Sequence, residues 1–590
     1  MELLVVFAQH PCYFNMRFQE LEALASLLGV TSRKELYVDQ PPPTAMEDSP
    51  LVRIRLPGGE AAARTLCERA VLVKAVLDVW GQGPTVPEAV DAALGCGADV
   101  LALRSAILAP PAKLQVRVVA FGRTMSMDDK TRILEEIRPV FRGDEVVDLK
   151  DSDVIIWALE EYSHYTDQKT HLGPRIGPPR RAIIGRQVAG GRSLDKKMAN
   201  GGKAYFQDYD LGKRAVLGPT TMENQLAFIM ANCACAEAGR FAMDPFCGTG
   251  GLLIAMSHFG TRVVGGEIDL RVVKGWGCAY VKNKQAALEA AARRRQHHVE
   301  TGAVSSAKLG DAASRKHGGD SEDASPTARA TSCCAADAMS LQHLCDIGLA
   351  PSALLERSRT SIPPQPSKAT VATRAGSTVK TGGATGPLGG GALEMDVFVN
   401  FVQYSLPTPE IVICDNAMRP WREIGDGWLD CIVTDPPYGV RAGSKKQGRK
   451  GPGREILDRA TYIPSKVSYG EEELSSDLLD LAATSLKDGG RLVYLAPVDL
   501  ADFLGIDRAA ETGASCKESG PTTLHDTAMP SKGRVYKDPR LCISETTRDP
   551  RLLDETRYLD FLPQHIALEL MCASLQVLSG GLGRLLVTMR

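Results

Sequence analysis

Residues 241–260 read FAMDPFCGTGGLLIAMSHFG, and this stretch decides the fold. A short apolar strand ends in an acid, Asp244. A loop follows with Gly248, Gly250 and Gly251, and then a helix with Leu252, Leu253, Met256 and Phe259 spaced along one buried face. Glycines let a backbone turn tightly and approach a ligand with no Cβ in the way. In an open α/β sheet, ligands bind beyond the carboxyl ends of the strands, where this loop would lie. The pattern is G-T-G-G and not G-x-G-x-x-G, which disfavours a dinucleotide pyrophosphate. A G-x-x-x-x-G-K-[ST] loop is also absent, which argues against a nucleotide triphosphatase.

Outward from this loop, strands alternate with helices from Gly218 onward. RFAMD, TRVVGGEID, PEIVICD, LDCIVTD and GGRLVYLAPV are short apolar strands, each ending in or near a polar or turn residue. This is the signature of a mainly parallel sheet covered on both faces. The last residues, IALELMCASLQVLSGGLGRLLVTMR, are two apolar runs around a glycine turn, an antiparallel hairpin. The fold class is therefore α/β, Rossmann-like. Two stretches break the rhythm, near 284–395 and 505–556. Both are rich in small and polar residues, with too little apolar surface to offset the entropy of ordering them, so they read as disordered insertions in a domain spanning 218–590.

The first 190 residues read as a separate α+β region. MELLVVFAQ is a strand, and FQELEALASLLG a helix with Leu21, Leu24, Ala25 and Leu28 on one face and Gly29 as its stop. RTLCERAVLVKAVLDVWGQG repeats helical spacing and is expected to be helical. KLQVRVVAFG alternates as a strand, SMDDKTRILEEIRPVF opens on a Ser126/Asp129 capping box, and SDVIIWALEEY and RRAIIGRQV are further strands. Residues 191–217 are polar and Gly-rich enough for a linker.

At 590 residues the chain exceeds one ordinary core. Its net charge is −2, so nucleic-acid binding must rest on local basic patches. The cysteines number 15, an odd count with scattered spacing that does not suit a disulfide framework or a zinc site. No apolar run is long enough for a bilayer, and MELLVVFAQHPCYF lacks a signal-peptide pattern. A soluble cytoplasmic protein without membrane contact is expected.

The chemistry concentrates at strand ends. Glu267, in VVGGEID, ends the strand after Asp244, where an acid can accept both hydroxyls of a ribose. Asp415, in IVICDNAM, ends a later one and can accept from an exocyclic adenine amine. The most specific signal is DCIVTDPPYGVR, residues 430–441. Pro436 and Pro437 end the strand, since neither donates an N–H. They fix the backbone so that the Asp435 carboxylate and the Pro436 carbonyl can face one point. Two acceptors together suit an N–H₂ group, and Tyr438 offers a flat surface for stacking a heterocycle. Such acceptors favour a tetrahedral nitrogen and release a lone pair that the ring would otherwise delocalise.

Asp-Pro-Pro-Tyr is the amino-methyltransferase signature of class I S-adenosylmethionine-dependent enzymes. The fuller strings LGPTTMENQLAFIMAN, DPFCGTGGLLIAMSHFG, DPPYGVR and GGRLVYLAPV resemble one family within that class: the catalytic subunits of the tRNA guanosine N2-methyltransferases that act at tRNA position ten. The resemblance covers about 1–283, 396–505 and 557–590. It implies a ferredoxin-like segment plus an RNA-binding THUMP domain in the N-terminal region, and S-adenosylmethionine as cofactor. Asp435, Pro436, Pro437 and Tyr438 would then hold the guanine N2 amine. Asp244, Phe246, Gly248 and Gly250 would line the methionine end of the cofactor, Glu267 its ribose and Asp415 its adenine, with Thr221 and Met222 bordering it. Glu267 stands where an aspartate is expected, so the ribose contact falls to either Glu267 or Asp269. The resemblance also implies a small zinc-containing activator protein as partner, and no metal in this chain.

Basic stretches mark candidate RNA contacts. Arg441, Lys445 and Lys446 directly follow the Tyr438 turn and could hold phosphates flanking the target base. Arg175, Arg180, Arg181 and Arg186 lie in the THUMP-like region. RRRQHH (Arg293–His298) reads as a solvated border of the large insertion. Two rival readings are a DNA adenine-N6 methyltransferase, because Asp-Pro-Pro-Tyr serves that amine equally well, and a non-catalytic RNA-binding protein with a degenerate cofactor site. The N-terminal RNA-type region weighs against the first, and the intact Asp435, Tyr438 and glycine loop against the second.

Overall fold

A computed structural model describes residues 1–10, 12–43, 49–162, 178–190, 204–218, 220–274, 396–423, 425–437, 444–448, 465–500, 555–578 and 582–590, with 289, 292, 293 and 503 between them. The two insertions read at 284–395 and 505–556 lie outside the described residues, apart from 289, 292, 293, 555 and 556. The chain groups into two compact units. The first is Met1–Gln207 with Leu495–Leu562 and Leu570–Met589; the second is Asp208–Tyr494 with Pro563–Glu569 and Arg590.

In chain order the first unit contains β1 (Glu2–Phe7), α1 (Arg17–Leu27), α2 (Arg33–Leu36), β2 (Leu51–Arg55), α3 (Gly59–Arg69), β3 (Val73–Gly83), α4 (Val86–Leu94), α5 (Ala98–Leu108), β4 (Lys113–Phe121), α6 (Met127–Glu136), β5 (Val146–Val147), β6 (Val154–Glu161) and β7 (Arg181–Gly190). Its sheet has the order β2-β1-β3-β7-β6-β4-β5. The expected α1 buries Leu21, Leu24 and Ala25 beneath the sheet and stops at Gly29, whose φ of 85° suits only glycine well. The α6 capping box forms as read. Ser126 Oγ accepts from the Asp129 N–H at 3.1 Å, and the Asp129 carboxylate accepts from the Ser126 N–H at 3.1 Å.

One expectation fails. RTLCERAVLVKAVLDVWGQG is not helical throughout: α3 ends at Arg69, and β3 begins at Val73. Both faces of β3 are covered, since Val73 and Val76 join one buried cluster and Ala75 and Leu77 another. Val73, Ala75, Val76 and Leu77 are all buried, so the run lacks the alternation that marks a half-exposed strand. The buried carboxylate of Glu20 fixes the corner between α3 and β3 by accepting from the N–H groups of Val71 and Leu72 at 2.9 and 2.8 Å. A long-range acceptor of this kind leaves no local trace in the sequence.

The second unit contains α7 (Asn224–Cys233), β8 (Phe241–Asp244), α8 (Gly251–His258), β9 (Arg262–Glu267), α9 (Leu270–Val273), α10 (Phe398–Gln403), β10 (Glu410–Ile413), β11 (Leu429–Thr434), β12 (Lys445–Gln447), β13 (Lys466–Ser468) and α11 (Glu471–Ser485). Next comes β14 (Leu486–Asp499). The strands β10, β9, β8, β11 and β14 pair in that order, every pair parallel, as the alternation of apolar strands and helices predicts. The hairpin of β15 (Leu570–Val577) and β16 (Leu582–Met589) is antiparallel, as read. Residues 204–217, at the end of the stretch read as a linker, bury Phe206, Tyr209, Arg214 and Ala215. No helix among the described residues is long and apolar enough to cross a membrane.

Candidate functional site

Parallel strands bring their carboxyl ends to one edge of a sheet, so the strand-end acids gather there. Asp244 ends β8 and is 2% exposed. One of its oxygens accepts from the Thr434 hydroxyl at 2.8 Å and from the Phe246 N–H at 3.0 Å. Thr434 is the last residue of β11 and immediately precedes Asp435. The glycine loop and the Asp-Pro-Pro turn are thus tied together through Asp244. Burial, with lesser contributions from the charges of Asp435 and Glu267, pushes the Asp244 carboxyl up to about 7 against the hydrogen bonds that favour its anion.

The loop itself is held by Glu267. Its two carboxylate oxygens accept from the Gly248 N–H at 3.0 Å and the Asp269 N–H at 2.8 Å. Burial raises the Glu267 carboxyl above its ordinary range. Gly248 and Gly250 have φ of 52° and 78°, and Gly250 caps α8. Gly265 and Gly266 of β9 permit the loop to lie against the strand. A Cβ at Gly265 would stand 2.7 Å from Cys247 Sγ and 3.0 Å from Cys247 Cβ, and one at Gly266 would stand 2.8 Å from the Pro245 carbonyl oxygen. These two glycines were missed as functional positions, although the doubled glycine before Glu267 signals a close backbone approach. Gly265→Ala is expected to destabilise the protein by about 1–3 kcal/mol and to weaken binding at the loop. Thermal melting checks this, and an unchanged melting temperature would contradict the packing.

The two ribose candidates are differently engaged. Asp269 caps α9 and forms ion pairs with Arg271 and, at 2.9 Å, with Lys466, which hold its carboxyl far below the usual range. Glu267 has no such cation bonded to it among the described residues, which leaves its outer lone pairs the better acceptors. Asp415 accepts from the Ala417 N–H at 3.1 Å and from the Gln447 N–H. Its neighbour Asn416 donates to the Pro245 carbonyl and accepts from the Trp421 indole at 2.9 Å.

Gln447 and Lys466 belong to the short β12–β13 ribbon that follows the Asp-Pro-Pro turn. Lys446 pairs with Glu473 and lies 5.5 Å from the Tyr469 ring centroid, while Lys445 is exposed. Phe246 packs beside Tyr469 and Leu474. Asp435 is half-buried, Pro436 buried and Pro437 half-buried. Tyr438 and Arg441 lie outside the described residues, as does Arg175. Thr221 Oγ1 accepts from the Gly218 N–H at 2.8 Å and shares a hydrogen bond with Thr249 Oγ1 at 3.0 Å, which places it at the foot of α8. Met222 is half-buried beside it in the chain.

The basic residues of the first unit are unequal. Arg181 pairs with the buried Glu161, and Arg186 with Glu60 and, at 3.7 Å, Asp78. Arg180 is exposed.

Comparison with known proteins matches residues 1–193 to the Tmrp11 THUMP N-terminal domain and residues 212–312 to the RMKL-like methyltransferase domain. The tRNA (guanine(10)-N(2))-methyltransferase TRMT11 of Mus musculus is 23% identical over 82% of this chain and 77% of its own length. That of Homo sapiens is 24% identical over 82% of this chain and 78% of its own length. The crystal structure of TrmN from Thermus thermophilus aligns with a TM-score of 0.35 at 13% identity, covering 100% of this chain and 99% of that one. The chain thus matches a THUMP N-terminal domain and a methyltransferase domain in succession, and over 82% of its length it is similar to tRNA (guanine(10)-N(2))-methyltransferases.

Proposed function

We propose that this chain methylates N2 of the guanosine at position ten of tRNA, with S-adenosylmethionine as cofactor, in the cytoplasm. One observation carries the reading. β8 and β11 are adjacent and parallel, and the Thr434–Asp244 hydrogen bond joins the glycine loop of one to the Asp-Pro-Pro turn of the other. A methyl-donor site and an amine site built on these two turns therefore open side by side.

The residues suit the cofactor. Gly248 adopts a left-handed conformation with no described atom within 4 Å of the point where a Cβ would stand, which leaves room against the loop. The charges of Asp435 and Glu267 lie close enough to Asp244 to help raise its carboxyl. Such an acidic surround favours a cationic ligand. Asp244, Phe246, Gly248 and Gly250 would hold its methionine end, Glu267 its ribose and Asp415 its adenine. When bound, S-adenosylmethionine supplies an electrophilic methyl group.

The chain's own residues prepare the nucleophile. The Asp435 carboxylate and the Pro436 carbonyl accept the two N–H groups of the guanine amine, and Tyr438 stacks on the base. Holding both hydrogens on one side draws the nitrogen toward a tetrahedral shape and directs its lone pair at the loop. Positioning and exclusion of water supply most of the rate. Chemistry on a stacked base requires its extrusion. Arg180 and Lys445 are exposed and would meet phosphates, whereas Arg181 and Arg186 are committed to carboxylates within the first unit. The THUMP region binds the tRNA body, and a small zinc-containing activator protein is the partner; family resemblance supports both.

The test is methyl transfer from labelled S-adenosylmethionine, with activator present, to an unmodified tRNA transcript and to duplex DNA. N2-methylguanosine in the tRNA and no label in the DNA is expected. Label in DNA adenine, or no transfer to either, would overturn the reading.

A further inference from the structure

Among the described residues, one buried cation of the second unit lacks a counter-ion. Arg214 is 1% exposed, and its Nε and Nη1 have no hydrogen-bond partner among the described residues. Among the described residues no carboxylate pairs with it. The Tyr404 phenol is its polar neighbour, and burial raises that phenol's pKa, so it brings no negative charge. Burial pulls its pKa down. An uncompensated buried charge costs several kcal/mol, so its presence calls for an anion.

Arg214 is held in place by α10. Gln403 Oε1 accepts from the Ala215 N–H at 2.8 Å, and Gln403 Nε2 donates to the Lys213 carbonyl at 2.7 Å. Asn400, wholly buried, accepts from the Val216 N–H at 2.8 Å and donates to the Val216 carbonyl at 2.9 Å. This clamp directs the guanidinium at the start of α8. A Cβ on Gly251, the first residue of that helix, would lie 3.4 Å from Arg214 Nη1 and 3.9 Å from Thr221 Cγ2. The unpaired N–H groups at a helix start carry the positive end of its dipole and repel a cation unless an anion intervenes. The Thr221 and Thr249 hydroxyls adjoin the same place.

We infer that Arg214 is the cofactor-binding residue that receives the carboxylate of the methionine portion of S-adenosylmethionine. The inference rests on the cofactor reading above. The charge pattern supports it: acids gather at the Asp244 end of the glycine loop, whereas Arg214 and the helix start lie at its other end. A ligand carrying a sulfonium and, a few bonds away, a carboxylate matches that polarity in one orientation only. A free phosphate would satisfy Arg214 but would leave the acidic end unmatched.

Calorimetry on the full chain tests this with S-adenosylmethionine and decarboxylated S-adenosylmethionine, which keeps the sulfonium and the amine. The wild-type chain is expected to prefer the carboxylate-bearing form by on the order of thirtyfold or more. Arg214→Gln is expected to lose that preference with its affinity for the decarboxylated form unchanged, and Arg214→Lys to keep part of it. Ligand-free Arg214→Gln is expected to melt no lower than wild type, because it removes an unpaired buried charge. Equal binding of the two ligands by the wild-type chain would overturn the inference alone, even where the glutamine variant fails to fold. Unchanged affinity of the glutamine variant for S-adenosylmethionine would overturn it too. Binding of neither ligand by wild type would overturn the cofactor reading and this inference together.

Discussion

Asp435→Ala is expected to lower methyl transfer by roughly 10²–10⁴-fold, the range associated with a positioned group that prepares a proton-bearing nucleophile, while tRNA binding persists. The carboxylate is the only group of the Asp-Pro-Pro turn that can be removed without touching its backbone. The Pro436 carbonyl then remains as a single acceptor, which holds the amine without directing its lone pair. Asp435→Asn keeps the shape and one acceptor oxygen but loses the negative charge, so its activity should fall between wild type and alanine. Single-turnover kinetics on a tRNA transcript, with filter binding of the same tRNA in parallel, separates the two effects. Retained turnover in the alanine variant would remove Asp435 from the amine site. Lost tRNA binding would make its role structural.

Asp244 governs a pH dependence whose sign follows from its surroundings. An aspartate in the unfolded chain titrates at an ordinary 3.8, whereas the buried group is raised to about 7. The protonated form is the one the fold tolerates. Its contribution to stability is therefore fully present below the unfolded value and is lost as pH rises through about 7. The swing is on the order of 4 kcal/mol. Melting of the ligand-free protein is expected to fall from pH 5 to pH 8, and Asp244→Asn to remove most of that slope. Glu267, raised in the same direction by burial, leaves a residual slope of the same sign. Ligand preference should move oppositely. Ionised Asp244 attracts a sulfonium and not a thioether, so the preference for S-adenosylmethionine over S-adenosylhomocysteine should grow as pH rises through about 7. In Asp244→Asn it should stay nearly flat. An asparagine variant that keeps the full wild-type slope in both measurements would mean that Asp244 is already ionised in the folded protein.

The second unit was legible because its physics is local. Each strand carries its own apolar run and its own terminal acid, so Asp244, Glu267, Asp415 and Asp435 are readable one at a time, and parallel pairing brings them to one edge without further information. The bonds between them were not legible. Thr434 reads as an ordinary strand residue until β11 lies beside β8 and its hydroxyl meets Asp244. Arg214 sits in a stretch whose polarity reads as linker, and only its neighbours on α10 and α8 show that it is buried. The failure at β3 has a related cause. A central strand covered on both faces carries no alternation, and the carboxylate that ends the preceding helix comes from Glu20, far away in the chain. Of the basic residues, sequence could not separate Arg181 and Arg186, which neutralise carboxylates, from Arg180, which faces solvent.

The joined glycine loop and Asp-Pro-Pro turn, as one site for methylating guanosine ten of tRNA, can be tested in cells. The most direct measurement is mass spectrometry of tRNA nucleosides and site-resolved fragments from cells lacking this protein, restored with wild-type chain or with Asp435→Ala. Loss of N2-methylguanosine at position ten, returned by wild type and not by the alanine variant, is the predicted result. Undiminished N2-methylguanosine at that position in the deficient cells would contradict it.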